Sequence, residues 1–247
     1  MSEKQSINRK KISENISSET LFTFTGKLEY LIGMLRDGIK PRYVFERLPY
    51  KDYHYIVHVK CFCDIPLGKI KSHLEWFGNY GLGIKRSFLQ DNGTTPIMYV
   101  HEKSDRIFNN IDKLTLDELK KMPSLPLLKR HFGWDYKEQE NGEYDKKQRK
   151  FYDEREWRYV PLETEIEVGK GMTIENGIKL AKDKNLNSQI KIKPLKLIPS
   201  LIEYIIIYDR KEFEELRKAL EDLYKDKNVY EEMLSKILIA KQVLRDF

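Results

Sequence analysis

The sequence has few of the residues from which common catalytic and metal centres are built. It holds two cysteines, Cys61 and Cys63, and five histidines, His54, His58, His73, His101 and His131. The thiols lie in CFCD on an expected strand, where residues two apart point the same way and do not suit an intrachain disulfide. With no second cysteine pair there is no zinc motif, and no metal is expected. We read both as small buried hydrophobes, with a Cys–His nucleophilic pair as the alternative. A Walker-type phosphate loop, a GxSxG elbow and an HExxH helix are all missing, which removes the commonest NTPase, hydrolase and metalloprotease readings. No apolar run approaches the roughly 18 residues of a membrane span. The opening MSEKQSINRKKISEN lacks the apolar core of a signal peptide, so a cytoplasmic location without a membrane partner is expected. No internal repeat or low-complexity tract stands out.

What is present describes a globular protein with a dense charged surface. The 247 residues suffice for a substantial core, and 40% hydrophobic and 12% aromatic residues would fill it. Charged residues make up 34%, and the formal net charge of +6 biases partners toward anions. Nucleic acid is a weaker candidate among them, through the lysine-rich stretches 146–150 and 179–196.

Residues 1–18 are polar without apolar periodicity and read as an N-terminal arm. Residues 19–247 then read as one α+β domain. LFTFT (21–25) is an expected strand, and Leu28, Leu31, Ile32 and Leu35 follow at helical spacing up to Gly38. Arg42 follows Pro41, where the chain should be extended. A strand is expected over Tyr55–Cys63, then a helix with Asp64 as its capping acid and Leu67, Ile70, Leu74 and Phe77 as its apolar stripe. GNYGLGIK (78–85) reads as a tight turn leading into a strand, with a ligand loop as the alternative. A short helix from Arg86 ends near Gly93, and PIMYV (96–100) is another strand. Residues 103–150 are expected to be a helical insertion closing in a basic loop at Lys146, Lys147, Arg149 and Lys150. A hairpin strand near Glu165–Val168 and a helix over Ile174–Lys184 follow. LIEYIIIY (201–208) has the continuous apolarity of a strand buried on both faces. Residues 209–247 are expected to be a C-terminal helical region that opens with Phe213, Leu216, Leu220 and Leu223, with its last segment SKILIAKQVLRDF reading either as a strand followed by a turn or as one more helix. Short strands interleaved with helices argue for α+β rather than an orderly parallel sheet.

The best candidate site is FYDEREWRYVP (151–161), read as a strand. Alternation puts Glu154, Glu156 and Arg158 on one face and Arg155, Trp157 and Tyr159 on the other. If the first face is buried in a cleft, the two carboxylates repel, one pKa rises, and Arg158 holds the other ionised. The alternative is a solvated face carrying a cross-strand ion pair.

Three ordered blocks, LFTFTGKLEYLIGMLRDGIKPRY, CFCDIPLGKIKSHLEWFGNYGLGIK and FYDEREWRYVP, resemble the AbiGi family of bacterial abortive phage-infection proteins. They cover roughly residues 19–161, and the strand Ile202–Tyr208 fits the family's C-terminal part. The resemblance implies an anti-phage component that is the antitoxin or regulatory partner of a co-encoded toxin. A more distant similarity is to ADP-ribosyltransferase folds, on the opening LFxFT strand and the later Glu-x-Glu strand. It implies a mixed ADP-ribosyltransferase-like β core with short flanking helices. It further implies NAD as cofactor, Glu156 and Glu154 as catalytic residues, and Thr23, Thr25, Arg42, Tyr80 and Arg158 around the cofactor. Glu156 would contact the nicotinamide ribose and stabilise a developing oxocarbenium ion while Glu154 orients the acceptor, a nucleic acid or protein. The sequence departs from that pattern at Thr23, which stands where such a transferase has histidine and supplies neither a cation nor an imidazole.

Overall fold

A computed structural model describes residues 18–48, 53–101, 103–104, 111, 113–138, 143–162, 164, 166–170 and 173–246. The expected N-terminal arm thus falls almost wholly outside the described residues. The strands are β1 (Thr20–Thr25), β2 (Arg42–Arg47), β3 (Tyr53–Cys63), β4 (Tyr80–Lys85), β5 (Thr95–Pro96), β6 (Met98–Val100), β7 (Leu128–Arg130), β8 (Phe132–Glu138), β9 (Tyr144–Lys150), β10 (Glu156–Tyr159), β11 (Ile166–Lys170), β12 (Ile202–Ile207) and β13 (Ile237–Ile239). The helices are α1 (Leu28–Asp37), α2 (Lys71–Phe77), α3 (Arg86–Asp91), α4 (Leu116–Lys120), α5 (Ile174–Lys182), α6 (Lys184–Ser188), α7 (Phe213–Leu223), α8 (Lys227–Ser235) and α9 (Ala240–Asp246).

The main sheet is mixed and runs β13-β12-β4-β1-β3-β10-β5, with β2 and β11 also paired to the long β3. Most neighbours are antiparallel, and β13 joins β12 in parallel. Helix α1 buries Leu28, Leu31 and Leu35 against one face, together with Leu82, Ile84, Ile205, Leu216 and Leu220. Burial of each such leucine contributes about 1.5–3 kcal/mol. The opposite face holds Phe22, Cys63, Ile70, Leu74, Ile206 and Ala240. Strand β12 therefore contributes Ile205 and Ile207 to one core and Ile206 to the other, as its unbroken apolar run requires. A third cluster beneath the first half of β3 joins Tyr55, Val57 and Val59 to Val100, Leu119 and Leu128.

Four local expectations are corrected. Among its described residues the segment 103–150 holds the five-residue helix α4, a helical residue at Ile111 and a 3-10 turn at Leu125–Leu127, but also three strands, β7 to β9. Its basic cluster lies on β9, paired in full register with β8, because the aromatic residues of FGWDYKE alternate as a strand requires. The glycine-rich segment is strand β4 itself. A Cβ at Gly83 would stand 2.8 Å from the Tyr204 ring and 2.9 Å from the Phe22 ring, so these aromatics lie on the sheet only because the glycine leaves room. Asp64 does not cap α2. It takes Ser18 N–H at 2.8 Å and Arg86 at 2.6 Å on one oxygen, and Arg155 pairs with the other at 3.4 Å.

The last correction concerns the candidate strand. Residues Phe151–Glu154 form a single 3-10 turn, Arg155 adopts the left-handed region at φ 46°, and only Glu156–Tyr159 is extended. Asp64 fixes this bend, its amide donating to the Arg155 carbonyl at 3.0 Å while Arg155 Nε donates to the Asp64 carbonyl at 2.8 Å. Glu154 consequently reaches the same place as Glu156 by a turn rather than by strand alternation.

Candidate functional site

Strand β10 lies against β3 with Glu156 opposite Cys63 and Arg158 opposite Cys61, so these four side chains share a face. That face is buried: Glu154 is 3% exposed, Glu156 5% and Arg158 0%. Three acids and three bases meet here from four strands and a turn. Arg158 Nε donates to Glu156 Oε1 at 2.6 Å, one terminal nitrogen donates to the Pro126 carbonyl at 2.6 Å, and the other pairs with Glu46 of β2. Lys129 of β7 bridges Glu154 Oε2 at 2.6 Å and Glu156 Oε2 at 2.8 Å, with its ammonium 5.0 Å from the centre of the Phe151 ring. Arg149 of β9 pairs with Asp135 at 2.8 Å and approaches Glu154 Oε1 at 3.3 Å, its guanidinium lying over Trp76 and Phe77. The Glu156 amide donates to the Tyr99 hydroxyl oxygen at 2.8 Å.

The two carboxylates are held differently. Burial would raise the pKa of Glu156, but Arg158 and Lys129 outweigh it and keep the group well below the usual carboxylate range. Glu154 moves up, because burial and the neighbouring Glu156 charge exceed the help of Lys129 and Arg149. Burial lowers Lys129, yet Glu154, Glu156 and Glu46 raise it well above the lysine value, so it stays charged. Behind this network His73 donates from Nε2 to the Glu154 carbonyl at 3.3 Å, and burial drops its pKa to about 4. Burial and Glu156 push the Cys61 thiol far up, and burial with Glu154 and Glu156 does the same to Cys63, which removes the thiolate a Cys–His pair needs.

A cavity of about 430 Å³ opens beside the network. It lies where β1 pairs with β3 only at Phe22 and Cys63 and then diverges, while β2 begins its pairing with β3 at Val59. Of the seven residues singled out by sequence, Thr23, Arg42, Glu154 and Glu156 line this cavity. The other three do not. Thr25 pairs with Tyr80 at the far end of β1, and the Tyr80 hydroxyl donates to Glu212 at 2.5 Å. Arg158 is sealed behind Glu156. Sequence reasoning missed Lys129, Glu46, Arg149 and Lys60. The charge imbalance of two inward acids against one base demands a further cation, but no local pattern says which lysine supplies it.

A family profile described as "Putative abortive phage resistance protein AbiGi, antitoxin" matches residues 42–208, well over half of the chain. The chain belongs to the AbiGi family. Its similarity extends to the "Abortive phage resistance protein AbiGi" of Lactococcus lactis subsp. cremoris, 27% identical over 141 residues. That alignment covers 47% of this chain and 55% of the relative, so the chain spans about half the length of the curated relative. No solved structure matches. Every member of the ion network falls within the AbiGi-matched segment, whereas the β1 wall of the cavity precedes it. Among the described residues no helix is long and apolar enough to cross a membrane.

Proposed function

We propose that this protein is the antitoxin or regulatory component of a cytoplasmic anti-phage abortive-infection system and acts by binding a co-encoded toxin. The observation that carries the reading is the AbiGi match over residues 42–208, whose description is that of an antitoxin. The structure is compatible in one respect. The ion network fixes β7, β9 and the turn before β10 to the central sheet, which presents a rigid scaffold on which a partner surface can be held. Co-expression with the adjacent toxin gene, followed by affinity capture and size-exclusion chromatography, tests it. A complex that survives at micromolar concentration, equivalent to about −8 kcal/mol, is expected. Two species that elute separately at that concentration would remove the reading.

A second reading is an ADP-ribosyltransferase-like enzyme with an ADP-ribosyltransferase-like core, NAD as cofactor and Glu156 as the catalytic carboxylate. It is supported by the presence of Glu156, Glu154 and Thr23 on the wall of one cavity. Against it, both Glu156 oxygens already accept from Arg158 and Lys129. A ribose hydroxyl would have to share them. Incubation with labelled NAD and total nucleic acid or protein decides. Transfer that is abolished by Glu156→Gln supports the enzyme, and no transfer by the wild type ends it.

A further inference from the structure

The cavity beside β3 has a charge and lining that the ion network does not explain. Glu46, Glu154 and Glu156 are each paired with Lys129, Arg149 or Arg158. Three further cations line the cavity wall, Lys182, Arg42 and Lys60, and the last two form no ion pair among the described residues. The nearest polar partner of the Lys60 ammonium is the Met34 sulfur at 3.6 Å, and Arg42 lies over the Tyr30 ring at 5.8 Å. Burial lowers the Lys60 pKa to about 8, with Arg42 contributing in the same sense and Cys61 opposing it. Two cations that repel each other and have no ion-pair partner form an electrostatic site for an anion.

The remaining wall is suited to something flat. Phe24 and His73 stand 6.2 Å apart and His73 and Phe77 5.7 Å apart, forming a short aromatic shelf that is uncharged at neutral pH because of the depressed His73. Beside that shelf Glu154 Oε1 is buried and receives no hydrogen bond; its nearest cation is Arg149 at 3.3 Å, in ion-pair contact only. A buried carboxylate oxygen with an open lone pair calls for an N–H donor. A volume of about 430 Å³ falls in the range of small-molecule sites.

We propose that the cavity between β1 and β3 is a nucleotide site, in which Arg42 and Lys60 receive a phosphate and Glu154 Oε1 accepts an N–H from a base laid against Phe24 and Phe77. Binding alone is required, so the site stands whether or not a toxin is bound and whether or not NAD is turned over.

Calorimetric titration of the full chain with AMP, CMP, GMP and UMP, their nucleosides and inorganic phosphate provides the test. At least one monophosphate is expected to bind in the micromolar to submillimolar range, with its nucleoside about tenfold weaker or more for want of the charged contact. Lys60→Met should weaken the monophosphate by about tenfold while leaving the thermal midpoint unchanged or higher, since it removes a poorly solvated amine. Arg42→Gln, at an exposed position, gives the same loss without a folding cost. Wild-type affinity should fall as pH rises through about 8, and this fall should vanish in Lys60→Met. The phosphate's own ionisation near pH 6 lies below that window. The proposal is overturned if no monophosphate binds at millimolar concentration, if a nucleoside or inorganic phosphate binds as tightly as the nucleotide, or if both variants bind like the wild type.

Discussion

Lys129 holds Glu154 and Glu156 at once, its ammonium 2.6 Å from one carboxylate and 2.8 Å from the other. One cation thereby lets two buried acids, two positions apart on either side of the bend at Arg155, occupy neighbouring space. Lys129→Met leaves both acids short of a partner and should cost about 3–5 kcal/mol in urea unfolding. Adding Glu154→Gln, which removes the more weakly held charge, should recover part of that loss. A double variant no more stable than the single one would show that the lysine acts through packing on Phe151 instead.

Stability should fall in two steps on acidification. His73 is buried neutral with a pKa of about 4 against an ordinary 6.5, so the unfolded chain binds its proton first. Its contribution is complete above pH 6.5 and drains as pH falls toward 4. Glu156, depressed by Arg158 and Lys129 against the opposing effect of burial, adds its own loss below its ordinary value of 4.5, while the raised Glu154 changes in the opposite sense. Chemical denaturation across this range should show the upper step abolished in His73→Phe, which keeps an aromatic ring between Phe24 and Phe77. Equal slopes in wild type and variant would assign the step elsewhere.

The two thiols should be inert in the native state. Both pKa values are raised by burial and by nearby carboxylates, so maleimide labelling at neutral pH should be slow until denaturant is added, and then involve both cysteines. Rapid native labelling of either would revive a nucleophilic role.

Gly78 ends α2 at φ 119°, and a Cβ there would stand 2.3 Å from the Thr25 carbonyl oxygen. Because that obstacle is backbone, Gly78→Ala should destabilise by more than about 1 kcal/mol, measured as a lowered unfolding midpoint. A neutral effect would mean that the α2–β4 junction can move away from β1.

Much of this architecture was legible because it is periodic. The stripe of Leu28, Leu31 and Leu35, the two-sided apolarity of 202–207 and the 213–223 helix each carry a repeat that burial enforces. The region 103–150 was misread because the residues that form strands there, in FGWDYKE and YDKKQRK, are rich in charge and pair with each other rather than with a hydrophobic face. At the site, the common placement of Glu156 and Arg158 followed from alternation. Glu154 arrives through the left-handed Arg155, which no strand pattern encodes. Lys129 and Glu46 come from elements distant in sequence, and pairing across such distances is set by topology alone.

Strand β3 is secured at both ends of one edge, by β1 at Cys63 and by β2 from Val59 back to His54, with the stretch between them left open. Strands in a sheet usually fray from their tips. Here the amides of Lys60 to Phe62 that face the open edge should exchange with deuterium ahead of those on either side, so that β3 loosens first just inside its C-terminal end rather than at the tip itself.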